Sequence, residues 1–407
     1  MKYAVGIDVG GTNTRVALIN EQYEIKERVQ FGSDPKDPMK TLNQINGVIK
    51  EFGQEIEGIG ISCPGPLDLI NGVILTPPNL PGWHNFELTK ELEKITGVSV
   101  QLENDANLAG LAEAVIGAGK GKKIIYGEPW AADKTAVEGN KKLAAKENIG
   151  LLDENIGAFC DSTRDGIKGS ALRAKEAGFI NGAEEKEDEM LASVAAWGAN
   201  PYQAEGFENV KAPSQIVTYV SAHDNHTLWD KLKETVVEEN ECLRLNKMAA
   251  AVYMTCQGTL FFLSGEEFAR TKGGRDNTFK APISLNRLDW EKAWENKELV
   301  HYYQGLIALR KQLSGLCDKS KDSYKRITDM WKEKDVVGFT VINDEASRWS
   351  QVKIIYNARK NSYKVKFLDD GWEILSDAND SWFWEKGICA NRQIEAAPQS
   401  VLILGRK

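Results

Sequence analysis

The sequence predicts an α/β protein built from two dissimilar halves and a small antiparallel β domain. Three observations predict it. Short apolar runs alternate with helical segments over most of the 407 residues. Polar residues collect where those runs end. The last runs follow one another without helices between them. The divisions fall at 1–121, 122–315 and 316–407.

In the first half, YAVGID and TRVALIN read as strands joined by the glycine turn VGGTN. Across 38–53, Leu42, Ile45, Val48, Ile49 and Phe52 recur at helical spacing and predict one buried stripe. GIGISCPG and VSVQLEN are further strands, separated by an irregular stretch. A helix follows from Asp105, with Leu108, Leu111 and Val115 on one face.

From Lys122 the rhythm changes. KIIYGEP, IGAFCDSTRD, IVTYVSAHDNH and TLFFLSGEE each run from an apolar strand into a polar cluster, with helical segments between them, notably Cys242–Cys256. Continuous apolar strands alternating with helices predict a parallel sheet buried on both faces. Polar residues at strand C-termini predict a ligand site there. After an amphipathic helix near Leu299–Leu313, the runs VVGFTVIN, VKIIYNA, YKVKFL and SVLILG predict hairpins.

Composition narrows the function. Lys and Arg number 51 against 59 Asp and Glu, a net charge of −8, which argues against nucleic-acid and anionic-membrane partners. No apolar run approaches the roughly 20 residues of a membrane span, and the N-terminus lacks a signal-peptide core. The six cysteines are scattered and read as buried free thiols in a reducing cytoplasm. The four histidines include no H-x-x-x-H pair, so no metal site is expected.

Two constellations carry chemistry. Asp8-Val9-Gly10-Gly11-Thr12-Asn13-Thr14-Arg15 lies between strands. Gly10 and Gly11 let backbone N–H groups approach a phosphate, Thr12 and Thr14 add hydroxyl donors, and Asp8 suits water around magnesium. A plain hairpin turn is the alternative. Asn104-Asp105 suits a carboxylate that takes the proton of a sugar hydroxyl, or else an N-cap. Further on, Glu128 beside Trp130 suits a general acid in a partly apolar pocket, or a strand-terminal salt bridge. His223-Asp224-Asn225-His226 ends another strand, as a sugar site or as a buried, hydrogen-bonded histidine.

Residues 1–120 resemble the first lobe of an ROK-family sugar kinase of the glucokinase type, on the actin-like ATPase fold. GIDVGGTNTR, GIGISCPGPLD, GVILTPPNLPGW and ENDANLAGLAEA carry the resemblance. It implies ATP and Mg as cofactors, Asp105 as catalytic base, Asn104 as a sugar ligand, and Gly65 and Asn79 bordering the sugar. The chain from about 123 onward resembles type I pullulanases, debranching enzymes of glycoside hydrolase family 13, through IIYGEPW, IGAFCDSTRDGIKGS, VTYVSAHDNHTLWDKL, FFLSGEEFARTKGG and HYYQGLIALRK. That resemblance implies strands five to eight of a (β/α)8 barrel and no cofactor. Glu128 would be the acid/base, Asp224 a transition-state carboxylate, His223 and Asn225 sugar ligands, and Trp130 a stacking platform. An α-glucan or glucose-type sugar is the expected partner.

Both resemblances are partial. GAGKGKKIIYGEPWAADK, Gly117–Lys134, leaves the first family before its nucleotide-binding half and enters the second after the G-F-R-F-D motif that holds its nucleophile. A retaining glycosidase needs two carboxyl groups about 5–5.5 Å apart, and phosphoryl transfer rests on positioning by both lobes. Turnover is therefore not expected from either half. Half a barrel also leaves open sheet edges through which the chain can self-associate.

Overall fold

A computed structural model describes all residues except 1, 78, 106, 107, 109–111, 113–124, 131–141, 237 and 366–368. Much of the Gly117–Lys134 junction, the 121/122 division, and Leu111 and Val115 therefore lie outside the described residues. The chain divides into two compact units, one within 1–125 and the other formed by 126–132 and 142–407.

In the first unit the strands β1 (Tyr3–Val9), β2 (Asn13–Asn20), β3 (Ile25–Gly32), β4 (Ile56–Cys63) and β5 (Val100–Asn104) form one sheet in the order β3-β2-β1-β4-β5. β1 pairs antiparallel with β2 and parallel with β4, and β4 pairs parallel with β5. Alternation along β1 sends Val5, Ile7 and Val9 into the core. There they meet helix α1 (Pro38–Glu51), which buries Leu42, Ile45, Val48 and Ile49 on the predicted stripe. Asp37 starts α1 by accepting from Lys40 N at 3.2 Å. The stretch read as irregular contains a second helix, α2 (Leu88–Thr96). It buries Leu88 and Leu92, one turn apart, and ends at Gly97 with φ 72°. A stripe of two apolar residues is too short to stand out by periodicity.

The second unit is built as the alternation predicts. β6 (Ile125–Gly127), β7 (Ile156–Phe159), β8 (Ile216–Thr218) and β9 (Thr259–Leu260) stand side by side in chain order. β8 pairs parallel with both β7 and β9, with Val217 opposite Phe159 and Thr259. The strands are shorter than their apolar runs, because Tyr219 and Phe261 continue beyond the ladder into the strand-end loops. α3 (Asp161–Lys168) follows β7, and α4 (Leu228–Thr235) and α5 (Glu239–Met254) separate β8 from β9. α5 buries Met248 to Met254 without a break and forms the centre of the largest core. α6 (Lys297–Arg310) packs on it through Tyr302, Tyr303 and Leu306.

The tail is a five-stranded sheet of β10 (Ile327–Glu333), β11 (Val336–Ile342), β12 (Gln351–Asn357), β13 (Trp372–Ser376) and β14 (Ser400–Arg406), in the order β10-β11-β12-β14-β13. All its pairings are antiparallel. Of YKVKFL, Tyr363–Lys364 pairs with Glu395–Ala396 in a separate ribbon. Four cysteines are buried as expected, but Cys317 and Cys389 are exposed, because they lie in loop-bounded surface segments rather than in core elements.

Arg310, at the end of α6, is buried and donates to the carbonyls of Met254 and Cys256 at 2.6 Å, Leu316 at 3.1 Å and Gly258 at 3.3 Å. It thereby satisfies the C-terminus of α5 just before β9 begins. Arg310→Met leaves these carbonyls without a donor, and chemical denaturation should show a loss of about 3 kcal/mol. An unchanged midpoint would show that other donors replace it.

Candidate functional site

The C-terminal ends of β6, β7 and β8 open on a cavity of about 340 Å³. Glu128 and Trp130 enter from the end of β6, Phe159, Asp161, Arg164 and Lys168 from β7 and α3, and Tyr219 to Asn225 from the loop after β8. The predicted Glu128, Trp130, His223, Asp224 and Asn225 thus line one space. The ligand atoms of Glu128, His223 and Asp224 all lie within 4.8 Å of one another. His223 Nε2 is 3.5 Å from Asp224 Oδ1. Asn225 turns the chain with φ 61°, a conformation asparagine tolerates.

One expectation needs correction. Glu128 is exposed, as is Trp130 at 42%, so no apolar enclosure surrounds the acid among the described residues. His223 is likewise exposed, and the buried histidine of this motif is His226, whose Nε2 lies 3.0 Å from Gly274 O. Histidine spacing also conceals that one histidine and two carboxylates converge from different strand ends. Such a trio offers ligand atoms to a cation, yet all three are solvated, and carboxylates so placed commonly hold none.

Sequence reasoning missed the cavity's floor. Arg164 donates to Tyr219 Oη at 2.8 Å and pairs with Asp165 at 2.6 Å. Lys168 is buried there, and burial followed by the Arg164 charge holds its pKa down to about 7. Asp161 lies at the rim, 3.3 Å from Lys146. The available signal was position: Asp161 comes directly after the strand run IGAFC. Beneath the floor, Glu266 is buried among the hydroxyls of Ser221, Tyr253 at 3.0 Å and Tyr303 at 3.2 Å. Burial raises its pKa to about 7 despite those bonds.

In the first unit, register brings the other predicted residues together. Asp8 pairs with Ser62 across β1 and β4, and Cys63 pairs with Asn104 across β4 and β5. Asp8, Ser62 and Asn104 therefore share one sheet end with Asp105, the first helical residue after β5. The Cys63 thiol, pushed up to about 12 by burial and by the charges of Asp105 and Asp8, is inert between them. A Cβ on Gly11 would stand 2.7 Å from Asn79 Cβ, and one on Gly65 would stand 3.6 Å from Asn104 Nδ2. The loop departs from expectation at three residues. Thr14 is fully buried with Oγ1 2.8 Å from Ser33 Oγ, because strand alternation turns it inward. Gly10 N–H closes the hairpin on Asn13 O at 2.9 Å. Asp8 is paired with Arg15 at 2.7 Å and accepts from Ser62 at 3.0 Å.

The two parts of the chain are similar to two protein classes. Residues 4–126 match the ROK family, and the rest of the chain is homologous to pullulanases. Glucokinase of Thermotoga maritima is 40% identical over 124 residues, 30% of this chain and 39% of its own length. Pullulanase of Bacillus subtilis is 31% identical over 251 residues, 61% of this chain and 34% of its own length. A crystal structure of a pullulanase variant from Paenibacillus barengoltzii, complexed with maltotriose, superposes with a TM-score of 0.61 and 26% identity, covering 92% of this chain and 52% of that one. The chain spans little more than a third of the two curated relatives. Among the described residues, no helix is long and apolar enough to cross a membrane.

Glu266 makes a pH prediction. Its folded pKa stands above the ordinary 4.5, so the native state holds the proton more tightly than the unfolded chain. That contribution to stability is complete below about 4.5 and is lost as pH rises through about 7. Urea midpoints of the unaltered chain should fall across this window relative to those of Glu266→Gln. Parallel curves would contradict the assignment.

Proposed function

We propose that the chain is a carbohydrate-active protein whose larger part, divided at 122–315 and 316–407, is strands five to eight of a debranching-type barrel with its β domain. In this reading it binds α-glucan without turning it over. The convergence of Glu128, His223 and Asp224 within 4.8 Å beside Trp130 carries the reading. Trp130 would stack on a sugar face, His223 and Asn225 would hold hydroxyls, and Asp224 would stabilise positive charge at the ring.

The separation of Glu128 and Asp224 is compatible by itself with a retaining pair, whose carboxyl groups sit about 5–5.5 Å apart. Asp224 is read instead as a sugar clamp, because it leans toward His223 at 3.5 Å and the G-F-R-F-D motif that carries the nucleophile does not occur in this sequence. Asp161 is drawn toward Lys146.

The second reading is the sugar kinase lobe, 1–121, favoured by Asp8 and Asn104 sharing one strand end. ATP with Mg would supply the phosphoryl group when bound. Asp105 would take the proton of the sugar hydroxyl, with Asn104, Gly65 and Asn79 at the sugar. Arg15 on Asp8, the closed Gly10 turn and the inward Thr14 leave Gly11 and Thr12 as the loop's phosphate contacts. A cytoplasmic setting and self-association through the outer strands β6 and β9 belong to the same proposal.

Calorimetry with maltotriose should give a binding isotherm, weakened about tenfold or more, some 1.4 kcal/mol, by Trp130→Ala or His223→Ala. Pullulan should yield no reducing ends. Reducing ends that disappear in Glu128→Gln would replace this reading with that of an active hydrolase. Glucose phosphorylation lost in Asp105→Asn would establish the kinase.

A further inference from the structure

Two buried lysines flank the turn His223-Asp224-Asn225-His226, of which His223 and Asp224 are exposed. Lys272, 2% exposed, donates from Nζ to His223 O at 2.5 Å. Lys168, 1% exposed, donates from Nζ to His226 O at 3.4 Å. They come from different segments, Lys168 from the end of α3 and Lys272 from the loop after Ala269. The second loop is itself anchored. Asp230 on α4 accepts from Lys272 N at 2.7 Å and from the Thr271 hydroxyl. Gly273 and Gly274 follow with φ 63° and 73°, and that left-handed turn carries Gly274 O to His226 Nε2 at 3.0 Å.

We propose that Lys272 is a positioning residue for the sugar site. Its ammonium fixes the His223 carbonyl from below and so sets where His223 and Asp224 stand, while Lys168 does the same at the far end of the turn. Three physical points support this. Burying an ammonium is costly unless acceptors receive it, so a lysine enclosed to this degree on a backbone carbonyl is an unusual way to hold an ordinary surface turn. A charge-assisted bond is shorter and stronger than a neutral one. His223 and Asp224 are exposed, with Nε2 and Oδ1 3.5 Å apart, so the backbone beneath them limits their placement. Glu128, Asp161 and Asp224 are the carboxylates lining the cavity, and Asp230 holds the Lys272 loop. Lys272 faces Arg270 as well as Asp224 and Asp230, and its Nζ bonds the His223 carbonyl.

The inference rests on the reading of His223 and Asp224 as sugar contacts, and the test separates the two. The full chain, labelled with ¹⁵N-histidine, gives four amide signals: His84, His223, His226 and His301. In Lys272→Leu the His223 signal should move while His84 and His301 stay, and maltotriose affinity should fall about tenfold or more. Lys321→Leu, at an exposed lysine, should change neither. A stationary His223 signal with unchanged affinity overturns the proposal. If the unaltered chain does not bind maltotriose, the sugar reading falls and the His223 signal alone decides the brace. Should Lys272→Leu displace all four signals, Lys272→Gln takes its place. Global displacement in both marks Lys272 as a stability element and also overturns the proposal.

Discussion

Phe159 is the contact on which the larger unit's site depends. Its ring meets Tyr126 at 5.4 Å, Tyr219 at 4.9 Å and Phe261 at 5.2 Å, all edge-on. These residues come from β6 and from the segments that follow β8 and β9, so one ring on β7 meets β6 and the continuations of the other two strands. Edge-to-face aromatic pairs add about 0.5–1.5 kcal/mol each beyond area burial. More importantly, they hold short strands in one register. Because Tyr126 and Tyr219 sit at or next to the strand ends, that register decides where Glu128 and the His223 turn emerge.

Beside this aromatic cluster the mouth of the site is polar and open, while Lys168 and Glu266 are buried. Glu266 and Lys168 are enclosed among hydroxyls and carbonyls, and each has been moved toward the neutral range by burial. An apolar floor would be simpler to stabilise, since a buried ionisable group is weak evidence for stability. What the buried groups do provide is direction, because each contacts the turn or the strand end that carries a site residue. Among the described residues, the site residues converge on one cavity from the C-terminal ends of β6, β7 and β8.

Much of the layout was legible in the residues. Four apolar runs ending in polar clusters foretold the four adjacent strands, and three of those clusters meet at the cavity, since strand period and strand-end chemistry are local properties. Leu42, Ile45, Val48 and Ile49 likewise marked α1 directly. What stayed hidden depended on partners far along the chain. Thr14 reads as a phosphate donor until the neighbouring strand brings Ser33 to it. Arg164 and Lys168 look like ordinary helix charges until β8 places Tyr219 and His226 beside them. The tail strands Ile327–Glu333 and Trp372–Ser376 carry several polar residues, so period alone did not separate them from loops. Exposure of Glu128 was equally unreadable, because enclosure belongs to the surroundings and not to the motif.

The central claim of the proposed reading is that Glu128 serves as an acid beside a sugar clamp of His223 and Asp224, without a nucleophile for the anomeric carbon. Intact-protein mass spectrometry after incubation with an activated fluoro-maltoside, whose leaving group needs no help from Glu128, tests it directly. The account predicts an unmodified mass. A covalent glycosyl adduct, mapped to Asp224, Asp161 or any other side chain, would contradict it.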